Sequence, residues 1–142
     1  MRTARAAAIV TWSYVAGFGL PAPLVANYLL THGRLPSFFG MFEMYAGPWS
    51  AQLSSRQLSL LLTAYLAVCG AVGVSGWLLW RGRRAGAILN LALLPVEAVF
   101  WVGFALPLPW LSGAARVVLV GASWQVLATG RPGGASSVTA RR

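Results

Sequence analysis

Residues 58–80 read LSLLLTAYLAVCGAVGVSGWLLW, and the basic turn RGRR follows at once at 81–84. No charged side chain interrupts the stretch from Leu58 to Trp80. About 20 apolar residues, each rising ~1.5 Å along a helix, cross the ~30 Å hydrocarbon of a bilayer. The stretch therefore has the length and character of a transmembrane helix. Ala64, Ala67, Ala71 and Ser75 recur at spacings of three and four, forming one small-residue stripe that permits close approach of a second helix. Trp77 and Trp80 mark the end of the span as a membrane interface, with Arg81, Arg83 and Arg84 just beyond it.

Working outward, the same pattern recurs at about residues 8–30, 85–106 and 111–128. The expected fold class is all-α: an integral membrane four-helix bundle occupying residues 1–130, followed by a small, polar, basic tail at 131–142 that reads as disordered. The connections 81–84 and 107–110 are short, so the last three spans are expected to pack in sequence and the first to close the bundle. Arg2 and Arg5 ahead of the long apolar run from Ala6 to Leu30 read as an uncleaved anchor rather than a removed signal segment.

Composition supports this reading. The chain is 58% hydrophobic and 9% charged, far from the balance of a soluble domain. Its formal net charge of +9 comes from arginine alone, and Glu43 and Glu97 are the acidic residues. The arginines sit mainly at the ends of apolar blocks and form no basic face, which argues against nucleic acid as a partner. Arg2, Arg5, Arg81, Arg83, Arg84, Arg131, Arg141 and Arg142 fall on one side of the expected topology, with Arg34 and Arg56 on the other. Positive residues concentrate inside, so a multi-pass protein of the cell (inner) membrane is expected, both termini cytoplasmic. Cys69 is a lone cysteine in an apolar stretch and makes no internal disulfide.

Two regions depart from the pattern. Residues 31–57 form the one long connection, and Phe38, Phe39, Phe42, Tyr45 and Trp49 make it aromatic. It is expected to be an outer aromatic loop or a short interfacial helix over Ser37–Tyr45, anchored on lipid or on the bundle top, or offered to another protein. Within the spans, Pro21, Pro23 and Pro95 each remove a backbone donor and are expected to kink or open their helices.

Polar residues inside the spans are the candidate site. Glu97 and Arg116 fall at comparable depth on neighbouring helices and are expected to pair. Asn90, seven residues before Glu97, shares its face; Gln125, nine residues after Arg116, falls on the opposite face of a straight helix. Two polar rungs between the same helices are therefore not expected. The structural reading is an ion pair that sets helix register; the functional reading is a polar site for a substrate, ion or partner.

The sequence has no phosphate-binding glycine loop, no HExxH, no paired cysteines and no Asp. No metal, cofactor or catalytic set is expected. The leading expectation is a structural or accessory subunit that binds another membrane protein or itself, with membrane lipids around it. One alternative is a small transporter or lipid-like ligand binder with a polar site around Glu97. The other is a membrane enzyme using His32, Glu43 or Arg34 at the outer face.

Overall fold

The computed structural model describes residues 2–128; the expected tail at 131–142 lies outside the described residues. The chain is mostly helical. Three helical segments, Arg2–His32, Ser55–Trp80 and Arg84–Gly103, are long and apolar enough to cross a membrane.

The first segment is a composite rod. Helix α1 (Arg2–Tyr14) runs into a π-helical turn, Val15–Gly19, and continues as α2 (Pro21–His32). The turn closes where Leu20 N–H donates to the Val15 carbonyl at 3.2 Å, five residues back. The two prolines explain its place. Pro21 and Pro23 supply no N–H to the preceding turn, and Pro21 stands at the first position of α2. The chain thus absorbs both prolines by widening one turn, and the rod stays continuous. It starts at Arg2, earlier than the expected 8, because the Ala-rich first turns pack: Ala4, Ala7 and Ala8 are buried in a cluster with Leu79, Ala87, Val120 and Leu127. Gly33 ends α2 in the left-handed region (φ 68°), its N–H returning to the Leu29 carbonyl.

The long connection is not an interfacial helix over Ser37–Tyr45. Two short strands, β1 (Ser37–Phe38) and β2 (Phe42–Glu43), pair antiparallel instead. Phe39 and Gly40 both take positive φ, 48° and 72°, which turns the chain too tightly for helix to form there. A single turn of helix, α3 (Pro48–Gln52), follows and packs against α4 and α5.

Helix α4 (Ser55–Trp80) begins earlier than the expected 58 because Ser54 caps it. Ser54 Oγ accepts from Gln57 N–H, and Gln57 Oε1 accepts from Ser54 N–H at 3.0 Å. Helix α5 (Arg84–Gly103) runs through Pro95 without a break. It ends before the expected 106, where Ala105 takes φ 49° ahead of Pro107. Helix α6 (Leu108–Ala128) starts three residues before the expected 111, with Pro109 in its first turn.

The packing order follows the chain. Helix α1 contacts α4 and α6, α4 contacts α5, and α5 contacts α6. The turn after α4 works only because Gly86 lacks a side chain: a Cβ there would lie 2.6 Å from the Leu79 backbone nitrogen and 2.8 Å from the Ser75 carbonyl. Gly70, on the outer face of α4, meets nothing within 4 Å. Gly86→Val is therefore expected to destabilise the fold by about 1–3 kcal/mol through overpacking. Gly70→Val is expected to leave it within about 0.5 kcal/mol. Chemical unfolding of the two variants in mild detergent checks the contrast, and equal losses would contradict the packing described.

Candidate functional site: a buried polar layer across the helices

Glu97, Arg116 and Asn90, the charged and amide side chains buried in the rods, each bond to a neighbouring rod. Glu97 on α5 and Arg116 on α6 are both 0% exposed. Arg116 reaches Glu97 with two parallel bonds, Nη1 to Oε1 at 3.1 Å and Nη2 to Oε2 at 2.7 Å. That planar fork suits a carboxylate and aligns both groups in one geometry. The same guanidinium lies over the Tyr14 ring of α1, 4.8 Å from its centroid. A cation held between a carboxylate and an aromatic face recovers part of what burial removes from it.

Tyr14 extends the layer to α4. Its hydroxyl accepts from Trp101 Nε1 at 2.9 Å and lies 2.8 Å from the Tyr65 hydroxyl. Trp101 follows Glu97 by one helical turn, so α5 presents both from the same side. Nearer the basic turn, Asn90 Nδ2 donates to Thr11 Oγ1 at 3.2 Å and to Ser75 Oγ at 2.8 Å. Those two hydroxyls donate to carbonyls of their own helices, Thr11 to Ala7 at 2.7 Å and Ser75 to Val72 at 2.7 Å. One amide thus ties α1, α4 and α5 together. Among the described residues, Asn90 Oδ1 and Arg116 Nε are buried without a hydrogen-bond partner.

The expected residues separate as follows. Glu97 and Arg116 are brought together. Asn90 is buried and joins Thr11 and Ser75 rather than Gln125, which is exposed and makes an interaction elsewhere. Pro95 is exposed on the outer side of α5, away from Glu97. Of the aromatic connection, Phe38, Phe39 and Phe42 are exposed. Tyr45 is buried and donates its hydroxyl to the Phe18 carbonyl of the π-helical turn, in the stretch that Pro21 and Pro23 deprive of donors. Burial raises the Tyr45 phenol above its ordinary pKa, so it remains a donor. Trp49 sets its ring edge-on to Phe100 and Phe104.

His32 stacks on Tyr28 at 4.1 Å between centroids, and its Nδ1 lies 2.7 Å from the Thr31 hydroxyl. Among the described residues no hydrogen bond or ion pair joins it to Glu43. No group of three metal-ligating side chains occurs among the described residues.

Thr11, Tyr14, Tyr65, Ser75 and Trp101 belong to the layer but carry no sequence signal strong enough to single them out. Spacing holds the trace that was available: Thr11 and Tyr14 are three apart, and Glu97 and Trp101 four apart. At the opposite end from the aromatic connection, three arginines lie over tryptophans. These are Arg5 over Trp80 at 5.3 Å, Arg81 over Trp77 at 4.3 Å and Arg84 over Trp124 at 4.7 Å.

Comparison with protein-family models, curated proteins and solved structures gives no match to this chain.

The layer makes an asymmetric prediction. Tyr14→Phe removes the acceptor of a buried indole N–H and leaves Trp101 unsatisfied, a loss of about 1–3 kcal/mol. Tyr65→Phe leaves Trp101 its acceptor and is expected to cost about 1 kcal/mol. Denaturant unfolding read by tryptophan fluorescence checks the order; a larger loss for Tyr65→Phe would contradict this bonding scheme.

Proposed function

We propose that this chain is a small multi-pass protein of the cell membrane that serves as a structural or accessory subunit, binding another membrane protein or a second copy of itself. In this reading four helical rods cross the bilayer as one bundle, α6 being the fourth at 21 residues. Both termini and the 81–83 turn lie in the cytoplasm, and the aromatic connection lies outside. The arginine–tryptophan pairs at one end support that orientation, since they combine interfacial rings with the positive charge that favours the inner side.

The observation that carries the proposal is the contrast between interior and exterior. The charged pair inside is held by a bidentate bond and an aromatic face, and both residues are fully buried. On the outside, the small-residue stripe of α4 is used only at one end. Ser75 is buried against Asn90, while Ala64 and Ala67 are exposed, with Gly70 exposed beside them. Small residues on a lipid-facing helix let another backbone come close, and packing of that kind drives association in lipid.

Mass measurement of the protein purified in mild detergent, with cross-linking in native membranes, tests this. A stoichiometric partner or a homo-oligomer is expected, reduced at least about tenfold in affinity by Ala67→Leu or Gly70→Leu while unfolding stability is retained. A strictly monomeric protein without a partner in native membranes would overturn the proposal.

A further inference from the structure

At the end of the molecule that carries the aromatic connection, a cavity of about 460 Å³ opens between the β-hairpin, the π-helical turn and the α5–α6 connection. Phe18, Phe42, Tyr45 and Phe104 line it, with Leu106 and Leu108 completing an apolar wall. A second hollow of about 210 Å³ shares Phe18, Phe42 and Tyr45 with it and extends the same wall toward Phe38. The volume is in the range of small-molecule sites, which pair an apolar lining with a few polar groups that fix orientation.

The polar group here is Glu43. It lies on β2 beside Phe42, lines the larger cavity and is exposed. Among the described residues, no arginine lies within ion-pair distance of its carboxylate. Arg34 shares a separate cavity of about 210 Å³ with Glu43 without pairing to it. Among the described residues, the one acidic side chain outside the buried layer thus has no cation within ion-pair distance, and it lines an aromatic cavity. Aromatic faces attract cations through their quadrupole, most strongly ones that shed water easily, and a carboxylate nearby adds a direct attraction. An acyl chain would use the wall but not the carboxylate, and an anion would be repelled by it.

We infer that this cavity binds a small amphiphilic amine, its apolar body among Phe18, Phe42, Tyr45 and Phe104 and its ammonium group at Glu43. The cavity shares no residue with the Glu97–Arg116 layer or with the outer face of α4, so it stands or falls independently of the subunit role. The hairpin sets its geometry: Phe42 and Glu43 come from the same two-residue strand, and Tyr45 is fixed by its bond to the Phe18 carbonyl.

The test uses the full chain in non-ionic detergent and three probes of similar size. Phenyltrimethylammonium is the cation, tert-butylbenzene its neutral isostere and benzoate the anion. Equilibrium dialysis and thermal shift are expected to show saturable binding of phenyltrimethylammonium alone. Glu43→Gln and Phe42→Ala are each expected to weaken it about tenfold. Glu43 and Phe42 are both exposed, so unchanged unfolding of the unliganded variants is expected and verifies that they fold. Equal binding of the neutral isostere, unchanged binding by Glu43→Gln, or no saturable binding would each overturn the inference. Repeating the titration in phosphatidylcholine and phosphatidylglycerol nanodiscs separates a free amine from a lipid headgroup. Retained binding in both supports the free amine, and loss only in phosphatidylcholine overturns it in favour of the headgroup.

Discussion

The ion pair between Glu97 and Arg116 is the constraint on which the rest of the structure depends. Two full charges are placed where nothing but protein surrounds them, each 0% exposed. A charge at the centre of a membrane helix is costly, about 2.5–3.5 kcal/mol on insertion scales, and an unpaired one costs more once buried in a fold. The pair is tolerable only if α5 and α6 hold one register, with the guanidinium in the plane of the carboxylate. Tyr14 fixes that plane from a third element by lying under the guanidinium. Once Tyr14 is placed, its hydroxyl determines where Trp101 and Tyr65 must be. The position of the pair thus propagates to α1 and α4.

The second tie, from Asn90 to Thr11 and Ser75, acts about two turns away along α5. It shares no residue with the first, so helix rotation is fixed at two levels. Apolar packing alone does this poorly in lipid, because lipid tails are as apolar as leucine and offer no preference between one helix face and another. Polar side chains supply the preference, since each must face a partner. Such ties contribute modest net stability and strong specificity of arrangement.

Three long apolar helices were legible in the sequence because hydropathy reports on the surrounding solvent, which acts on every residue of a helix alike. Glu97, Arg116 and Asn90 were legible because ionisable and amide groups are rare in apolar stretches. Their pairing was legible for Glu97 with Arg116, on depth alone. Asn90's partners were not, because Thr11 and Ser75 look like ordinary small residues of a membrane helix until α1 and α4 are placed against α5. The π-helical turn was signalled by Pro21 and Pro23 only as a disturbance. Whether prolines kink a helix or widen one turn depends on what receives the freed carbonyls, here the Tyr45 hydroxyl from 27 residues along the chain. The hairpin was hidden for a related reason. Its register rests on a positive φ at Phe39, a conformation uncommon for a residue with a bulky side chain, so nothing in the residue types of 37–43 announces it.

The most direct measurement is a double-mutant cycle on Glu97 and Arg116, using Glu97→Gln, Arg116→Met and the pair together, with unfolding free energies taken in one detergent. Each single change leaves the other charge buried alone and is predicted to lose about 3–5 kcal/mol. The double change is predicted to recover most of that loss, giving a coupling of several kcal/mol. Additive losses, or a Glu97→Gln variant as stable as the parent, would mean that the pair does not set the register and would contradict the account.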